Sequence, residues 1–171
     1  MSVSESRRIE AIHHLNLPLT VKDFLGALDA PAGMRDLFNC PYYFYSQGAP
    51  DYPGNWEDLA HRTLLPLWEH GELVFAVDIA LNEPEYISFY LERPSEVTSY
   101  GSSIYRALFE MINLHVWEYG GEETEVLEAK HFAARLEFPN LAHLLEMISN
   151  VDTSQEEIDA YLSDSAVLPF G

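Results

Sequence analysis

Three acidic residues surround a tryptophan in the first half of the chain, and together they have the composition of a sugar-cleaving site. Asp51 precedes Trp56, and Glu57 and Asp58 follow it directly. Glycosidases place two carboxylates around the scissile bond, one as the acid and the other as base or nucleophile, and the acid needs a raised pKa. The chain has 28 acidic residues, so carboxylates lie close together by composition alone. The same residues fit a loop that Trp56 anchors to the core, which we favour over a hydrolase.

The seven histidines show no spacing that favours a metal site. His13 and His14 are adjacent, so on a helix their side chains point in different directions. His61 and His70 are separated by a proline and do not share a helical turn. His115 lies on the apolar stripe of a predicted helix, where we expect a packed, hydrogen-bonded core residue rather than a zinc ligand.

Motifs for nucleotide binding and nucleophilic catalysis are missing from the sequence. There is no phosphate-binding glycine loop, no dinucleotide fingerprint and no G-x-S-x-G elbow. Cys40 is the only cysteine, so no disulfide can form within the chain, and a lone cysteine suits a reducing compartment. We therefore expect a protein that is not an enzyme, with no catalytic residue, no metal and no cofactor.

Aromatic residues interleaved with acids are the most informative pattern in the chain. Tyrosine and tryptophan suit protein interfaces because they bury much area while few torsions are frozen. Tyr86, Ser88 and Tyr90 share one face of a predicted strand, where they would form a shallow contact surface or pack beneath a helix. The residues expected to bind a partner are Tyr52, Trp56, Trp68, Glu69, Glu72, Glu83, Glu85, Tyr86, Tyr90 and Glu92.

Short elements are predicted before the middle of the chain. Helices are indicated over residues 9–13, after Thr20 as a cap, and over residues 34–38, where apolar residues follow helical spacing. The aromatic run at 42–45 predicts a strand. Residues 56–63 predict one or two helical turns.

A β-hairpin is predicted next. In residues 72–81, Leu73, Phe75, Val77 and Ile79 fall on one face at period 2, and Asp78 falls on the other. In residues 86–92, Ile87, Phe89 and Leu91 fall on one side, and the residues 82–85 join the two segments as a turn.

The rest of the chain predicts helices. One begins after residues 102–103 and ends at the glycines 120–121. Residues 122–138 fit either a loop or a helix. Asn140 caps a further helix, and residues 154–157 form a capping box for the last one. This order predicts an α+β fold in one domain spanning 1–171, with a mostly antiparallel sheet and helices packed on one face.

The net charge is −19, and the acids are concentrated after the first 50 residues. Residues 1–50 hold 5 acidic and 4 basic residues, residues 51–100 hold 10 and 2, and residues 101–171 hold 13 and 3. Such a field repels nucleic acid and anionic lipid and attracts a basic protein, although acidity also serves solubility alone. With no signal-peptide pattern and no apolar run long enough for a membrane span, we expect a cytoplasmic protein.

Three short segments give the chain a family resemblance. Leu17-Pro18 followed by residues 22–25 (Lys-Asp-Phe-Leu), residues 65–69 (Leu-Pro-Leu-Trp-Glu) running into a strand, and Ser102-Ser103 leading into a helix resemble the SUKH superfamily. That superfamily contains bacterial immunity proteins and yeast cell-wall assembly regulators. The resemblance covers roughly residues 10–118.

The resemblance implies a SUKH-like α+β domain without enzymatic activity that binds and neutralises a protein toxin. The expected partner is a basic toxin such as a nuclease, with no direct binding of nucleic acid or membrane. An acidic protein would complement such a toxin, and charge pairing would speed their association. A regulatory scaffold of the same fold is the first alternative, and a small carboxylate-dependent hydrolase is the second.

Overall fold

The middle of the chain forms a four-stranded antiparallel sheet in the computed structural model, which describes residues 1–46, 59–80, 83–118, 122–150 and 152–165. Each strand pairs with the next along the chain. The strands are β1 (Leu64–His70), β2 (Leu73–Asp78), β3 (Glu85–Tyr90) and β4 (Arg93–Gly101). This sheet and the helices that pack on it confirm the α+β class.

The predicted hairpin is present as β2 and β3. The two strands pair antiparallel and in register, from Leu73 opposite Tyr90 to Asp78 opposite Glu85. Both strands are slightly shorter than the predicted ranges 72–81 and 86–92. Leu81, the last residue of the first predicted strand, and Asn82 of the predicted turn lie outside the described residues.

The sequence predicts no strand at β1 or β4, and this is wrong at both edges of the sheet. Pro66 and Pro94 argue against regular structure because proline has no N–H to donate to a ladder. On edge strands and at bulges that N–H is not needed. Both strands are edges, and the β1–β2 register shifts between Pro66 and Trp68.

The pairing of β4 with β3 is irregular. The register shifts between Tyr86 and Ile87, and shifts again between Ser88 and Tyr90. β4 therefore follows β3 with bulges rather than as a flat ladder.

The outer edge of β1 is covered by earlier parts of the chain. Val3 N donates to Leu64 O at 2.8 Å, and Leu64 N donates to Met1 O at 2.9 Å. Further along, Asn39 and Glu69 exchange both backbone hydrogen bonds at 2.9 Å. These contacts satisfy backbone groups that an edge strand otherwise leaves unpaired.

Both faces of β1, β2 and β3 are buried, whereas β4 is largely exposed. The larger hydrophobic cluster joins Phe75, Val77 and Tyr86 on one face to residues of the helices. The smaller cluster lies on the opposite face, where Ile87 and Phe89 meet residues from outside the sheet. The residues that complete the smaller cluster are Phe44, Leu59, Leu64, Val74, Ala76 and Leu91.

Helices precede and follow the sheet. None of them, in the part of the chain that the structure describes, has both the length and the apolar character needed to cross a bilayer. The helices are α1 (Arg8–His14), α2 (Leu19–Ala27), α3 (Tyr42–Ser46), α4 (Ile104–Asn113), α5 (Glu123–Arg135), α6 (Leu141–Ser149) and α7 (Gln155–Ser165), with 3-10 turns at Glu5–Arg7 and Ala32–Leu37 and a π-helical turn at Leu114–Glu118.

Helix α3 replaces the strand that the aromatic run at 42–45 predicts. The Glu69 carboxylate accepts hydrogen bonds from Tyr43 N at 3.0 Å and from Phe44 N at 2.5 Å, so it satisfies N–H groups at the start of the helix. Phe44 is fully buried in the smaller cluster. A contact 25 residues away in sequence therefore overrides the local β preference of these residues.

The predicted helix starts differ in how well the structure bears them out. The capping box at the start of α7 is confirmed, because Ser154 N donates to Glu157 Oε2 at 2.8 Å and Glu157 N donates to Ser154 Oγ at 3.3 Å. Asn140 occupies the N-cap position of α6, but its side chain makes no capping hydrogen bond. Thr20 is not a cap, since α2 begins one residue earlier. The segment 122–138, for which the sequence allows either a loop or a helix, contains α5. The predicted helix end at 120–121 lies outside the described residues.

Candidate functional site

Acidic and aromatic side chains meet at the end of the sheet where the β1–β2 and β3–β4 turns lie. Glu72, Tyr90, Glu92, Arg93 and Glu96 line a shallow cavity of about 360 Å³, here called the acidic pocket. Three of these residues, Glu72, Tyr90 and Glu92, are among those predicted to bind a partner. Sequence reasoning missed Arg93 and Glu96, because it assigned no strand there.

The topology of the sheet explains why these residues meet. In an antiparallel meander the first and third turns lie at the same end. Glu72 lies in the first turn, between β1 and β2, and Glu92 lies in the third, between β3 and β4. Tyr90 and Arg93 are paired across that third turn. The register shift that follows, between Ser88 and Tyr90, is the kind of bulge that redirects side chains.

The acidic pocket carries three carboxylates and one guanidinium. Arg93 Nη1 lies 3.8 Å from Glu96 Oε1, and both side chains are largely exposed. An exposed ion pair of this kind is worth little, since solvent screens it. The pocket therefore presents excess negative charge, with the Tyr90 side chain 47% exposed beside it.

Three residues predicted to bind a partner are buried, so the structure does not place them on the exposed surface where that prediction requires them. Trp68 is fully buried and its ring stacks on Phe75 with centroids 4.7 Å apart. Tyr86 is buried in the larger cluster beneath the helices. Glu69 is buried and holds α3, and its burial raises the pKa of its carboxyl group although backbone N–H groups oppose this. Alternation places such residues on one face but does not show that a second layer covers that face.

Glu83 and Glu85 lie at the opposite end of the sheet from the acidic pocket. The prediction that they share one partner-binding surface with Glu72 and Glu92 therefore does not hold. Glu83 is exposed. Glu85 Oε1 accepts a hydrogen bond from Ser99 Oγ at 2.7 Å, and Arg62 donates to its other carboxylate oxygen. These two hydrogen bonds lower the pKa of Glu85. Its carboxylate serves contacts within the fold.

The predicted residues Tyr52 and Trp56 lie outside the described residues, as do Asp51, Glu57 and Asp58 of the hydrolase alternative.

His115 is a buried residue, as the apolar stripe predicts. Its Nε2 lies 3.3 Å from Glu128 Oε2, close enough for an ion pair when the imidazole is protonated, but makes no hydrogen bond. Across the described ranges, no three histidine, cysteine or acidic side chains come together as ligands for a metal ion.

Comparisons of the chain with protein-family models, with curated proteins and with solved structures each found no match.

Proposed function

We propose that this chain is a non-enzymatic binding protein that holds a basic protein partner at the acidic pocket, in the cytoplasm. The observation that carries the proposal is the convergence of Glu72, Tyr90 and Glu92, with Glu96, on one concave surface. Glu72 and Glu92 come from two separate turns and Glu96 comes from β4, and all three side chains are exposed at this end of the sheet.

The charge of the whole chain supports a basic partner. A net charge of −19 raises the encounter rate with a cationic protein and suppresses binding to phosphate backbones. Pocket carboxylates then select the orientation in which the partner docks, because local charge complementarity fixes register more than it adds affinity.

The resemblance to SUKH immunity proteins supports a protein toxin as the partner. On this reading the chain neutralises a protein toxin, such as a nuclease, by covering its cationic active surface. A toxin that must hold nucleic acid carries lysine and arginine at that surface, which matches the acidic pocket in sign.

The test separates the acidic pocket from the general acidity of the chain. Basic proteins recovered on the immobilised chain from a lysate of its source, and released as salt rises, are purified and titrated calorimetrically against wild type and two variants. Glu72→Gln/Glu92→Gln removes two pocket carboxylates. Glu123→Gln/Glu146→Gln removes two exposed carboxylates from α5 and α6 and changes the net charge equally.

We expect the pocket variant to bind about tenfold more weakly than the matched control. Equal affinities of the two variants would reduce the interaction to general charge attraction and sink the proposal. If no basic protein is recovered, the proposal fails too.

A further inference from the structure

Arg93 is a cation among the carboxylates of the acidic pocket. It lines the cavity together with Glu72, Glu92 and Glu96. Its Nη1 lies 3.8 Å from Glu96 Oε1. The pocket therefore already contains a guanidinium, which the chain itself supplies. This side chain has the same chemistry that the proposed function requires of the partner's side chains.

The irregular pairing of β4 brings this guanidinium to Glu96. Arg93 and Glu96 are three positions apart, and in a regular strand such residues point to opposite faces of the sheet. Here, however, Tyr90 pairs with Arg93. The preceding pair joins Ser88 to Thr98, so β4 has more residues than β3 between the two pairs. Glu96 lies in this bulged interval, and bulges redirect side chains. The contact between Arg93 and Glu96 is thus made by the bulge.

The ion pair is a weak one. The Arg93 side chain is 71% exposed and that of Glu96 is 61% exposed, and exposed pairs of this kind are worth little. Arg93 can therefore leave Glu96 at small cost. As long as it stays, it withholds one carboxylate from a second cation and repels that cation, because like charges oppose each other at short range.

We propose that Arg93 is a built-in competitor for the partner's basic side chains, which occupies Glu96 in the free protein and is displaced when the partner docks. This inference rests on the proposed function and concerns the regulation of the same pocket. The partner gains contacts with the pocket carboxylates, and it must first separate Arg93 from Glu96. The affinity of the pocket for a basic ligand is therefore lower with Arg93 than without it.

A second ion pair in the chain supplies a matched control. Arg7 Nε lies 3.7 Å from Glu10 Oε2, the two residues are also three positions apart, and their side chains are 75% and 63% exposed. Neither of them lines the acidic pocket. Arg93→Gln and Arg7→Gln therefore remove the same charge from ion pairs of the same kind, one inside the pocket and one outside it.

The probe is a fluorescent hexaarginine peptide, titrated by anisotropy at one ionic strength. Arg93→Gln is expected to bind it about threefold to fivefold more tightly than wild type. Arg7→Gln should bind it almost as wild type does, and Arg93→Lys, which keeps the charge, should show no gain. Both arginines are exposed, and circular dichroism verifies that the variants are folded. Equal gains in the two glutamine variants, or no gain in Arg93→Gln, overturn the inference.

A double-mutant cycle tests whether Arg93 acts through Glu96. Arg93→Gln should raise the affinity clearly less in a Glu96→Gln background than in wild type, because the carboxylate that it releases is then absent. Equal gains in both backgrounds would make Arg93 a source of general repulsion and contradict its role as the occupant of Glu96.

The same titration separates this inference from the proposed function. If Glu72→Gln/Glu92→Gln loses no more affinity than Glu123→Gln/Glu146→Gln, the proposal of the acidic pocket fails, and the role of Arg93 fails with it. If the pocket variant does lose affinity while Arg93→Gln gains none, the pocket proposal is supported and only the role of Arg93 is overturned.

Discussion

The guanidinium of Arg8 donates a hydrogen bond of 3.0 Å from Nε to the carbonyl oxygen of Pro66, across a separation of 58 residues in the chain. It also donates to the carbonyl oxygens of Leu67 and of Leu25. Pro66 and Leu67 lie where the β1–β2 register shifts, and Leu25 lies in the last turn of α2, where a cation is favourable. Arg8 is only 4% exposed, so one buried side chain ties α1, α2 and β1 together.

Replacing Arg8 by lysine should lower the free energy of unfolding by about 2–4 kcal/mol, because an ammonium group cannot supply the fork of donors that three separate carbonyls require. Urea unfolding measures the loss. Arg7→Lys is the control, since that neighbouring side chain is 75% exposed and pairs with Glu10 at 3.7 Å. Similar losses in the two variants would contradict the role of Arg8.

Replacing Glu69 by glutamine should destabilise the fold by about 1–3 kcal/mol, since one buried N–H of α3 then faces an amide NH₂ rather than an acceptor. Glu72→Gln, an exposed neighbour, should leave stability unchanged. Urea midpoints of the two variants decide between these outcomes.

The raised pKa of Glu69 predicts the sign of a pH effect. Because the folded state binds the proton more tightly than the unfolded state, this group stabilises the fold below its ordinary pKa. That stabilisation is lost as pH rises through the folded pKa. The stability difference between wild type and Glu69→Gln should therefore shrink from about pH 4 upward. A difference that grows with pH would refute this account.

Glu85 should behave in the opposite way. Its hydrogen bonds from Ser99 and Arg62 lower its pKa, so its contribution is present above the ordinary pKa and is lost as pH falls through the folded pKa. Glu85→Gln should cost about 1 kcal/mol near neutral pH and less in acid. Glu83→Gln, exposed at the same end of the sheet, should show no such pH-dependent loss in the same urea series.

A methyl group at Gly33 would fit only if the Glu128 side chain moved away. The Gly33 N–H donates to Glu128 Oε1 at 3.0 Å, and a Cβ at this position would lie 2.3 Å from Glu128 Oε2 and 3.3 Å from His115 Cε1. Gly33→Ala should displace the Glu128 side chain and cost about 1–2 kcal/mol. The loss should largely vanish when Gly33→Ala is made in a Glu128→Ala background, as a double-mutant cycle measures.

Gly26 is the matched glycine for that experiment. It lies within α2 and a Cβ there meets nothing within 4 Å. Gly26→Ala should stabilise the protein by about 0.5–1 kcal/mol, because alanine is the better helix former. A destabilised Gly26→Ala variant would show that the spatial argument fails at both positions.

The elements that the sequence predicts well are those whose pattern is local. The period-2 spacing of apolar residues predicts β2 and β3, and the Ser154–Glu157 capping box predicts the start of α7. β1 escapes prediction because Pro66 is tolerated only at a sheet edge and beside a bulge, and the pairing that creates them is not a local feature of the sequence. The helix at Tyr42–Ser46 escapes prediction because Glu69 supplies the contact that forms it.

The residues predicted for the candidate site also differ in whether local sequence is enough to place them. Glu72 and Glu92, two of the acids predicted to bind a partner, are exposed because they lie in the turns between strands. Trp68, Glu69 and Tyr86 carry the same residue types but lie in strands that are covered on both faces. Composition and alternation cannot show these layers, because helix residues cover the face of Trp68 and Tyr86, and Phe44 and Leu59 cover the other face from outside the strands.

The two register shifts of β4 have a consequence for how copies of the protein behave when crowded. A regular edge strand is a template onto which the edge of another molecule can zip. Here the ladder is interrupted twice, and Pro94 offers no N–H within the same strand. We therefore expect neighbouring molecules to find no continuous edge for pairing at the strand that carries Arg93 and Glu96, so that the acidic pocket stays open to solvent in concentrated solution.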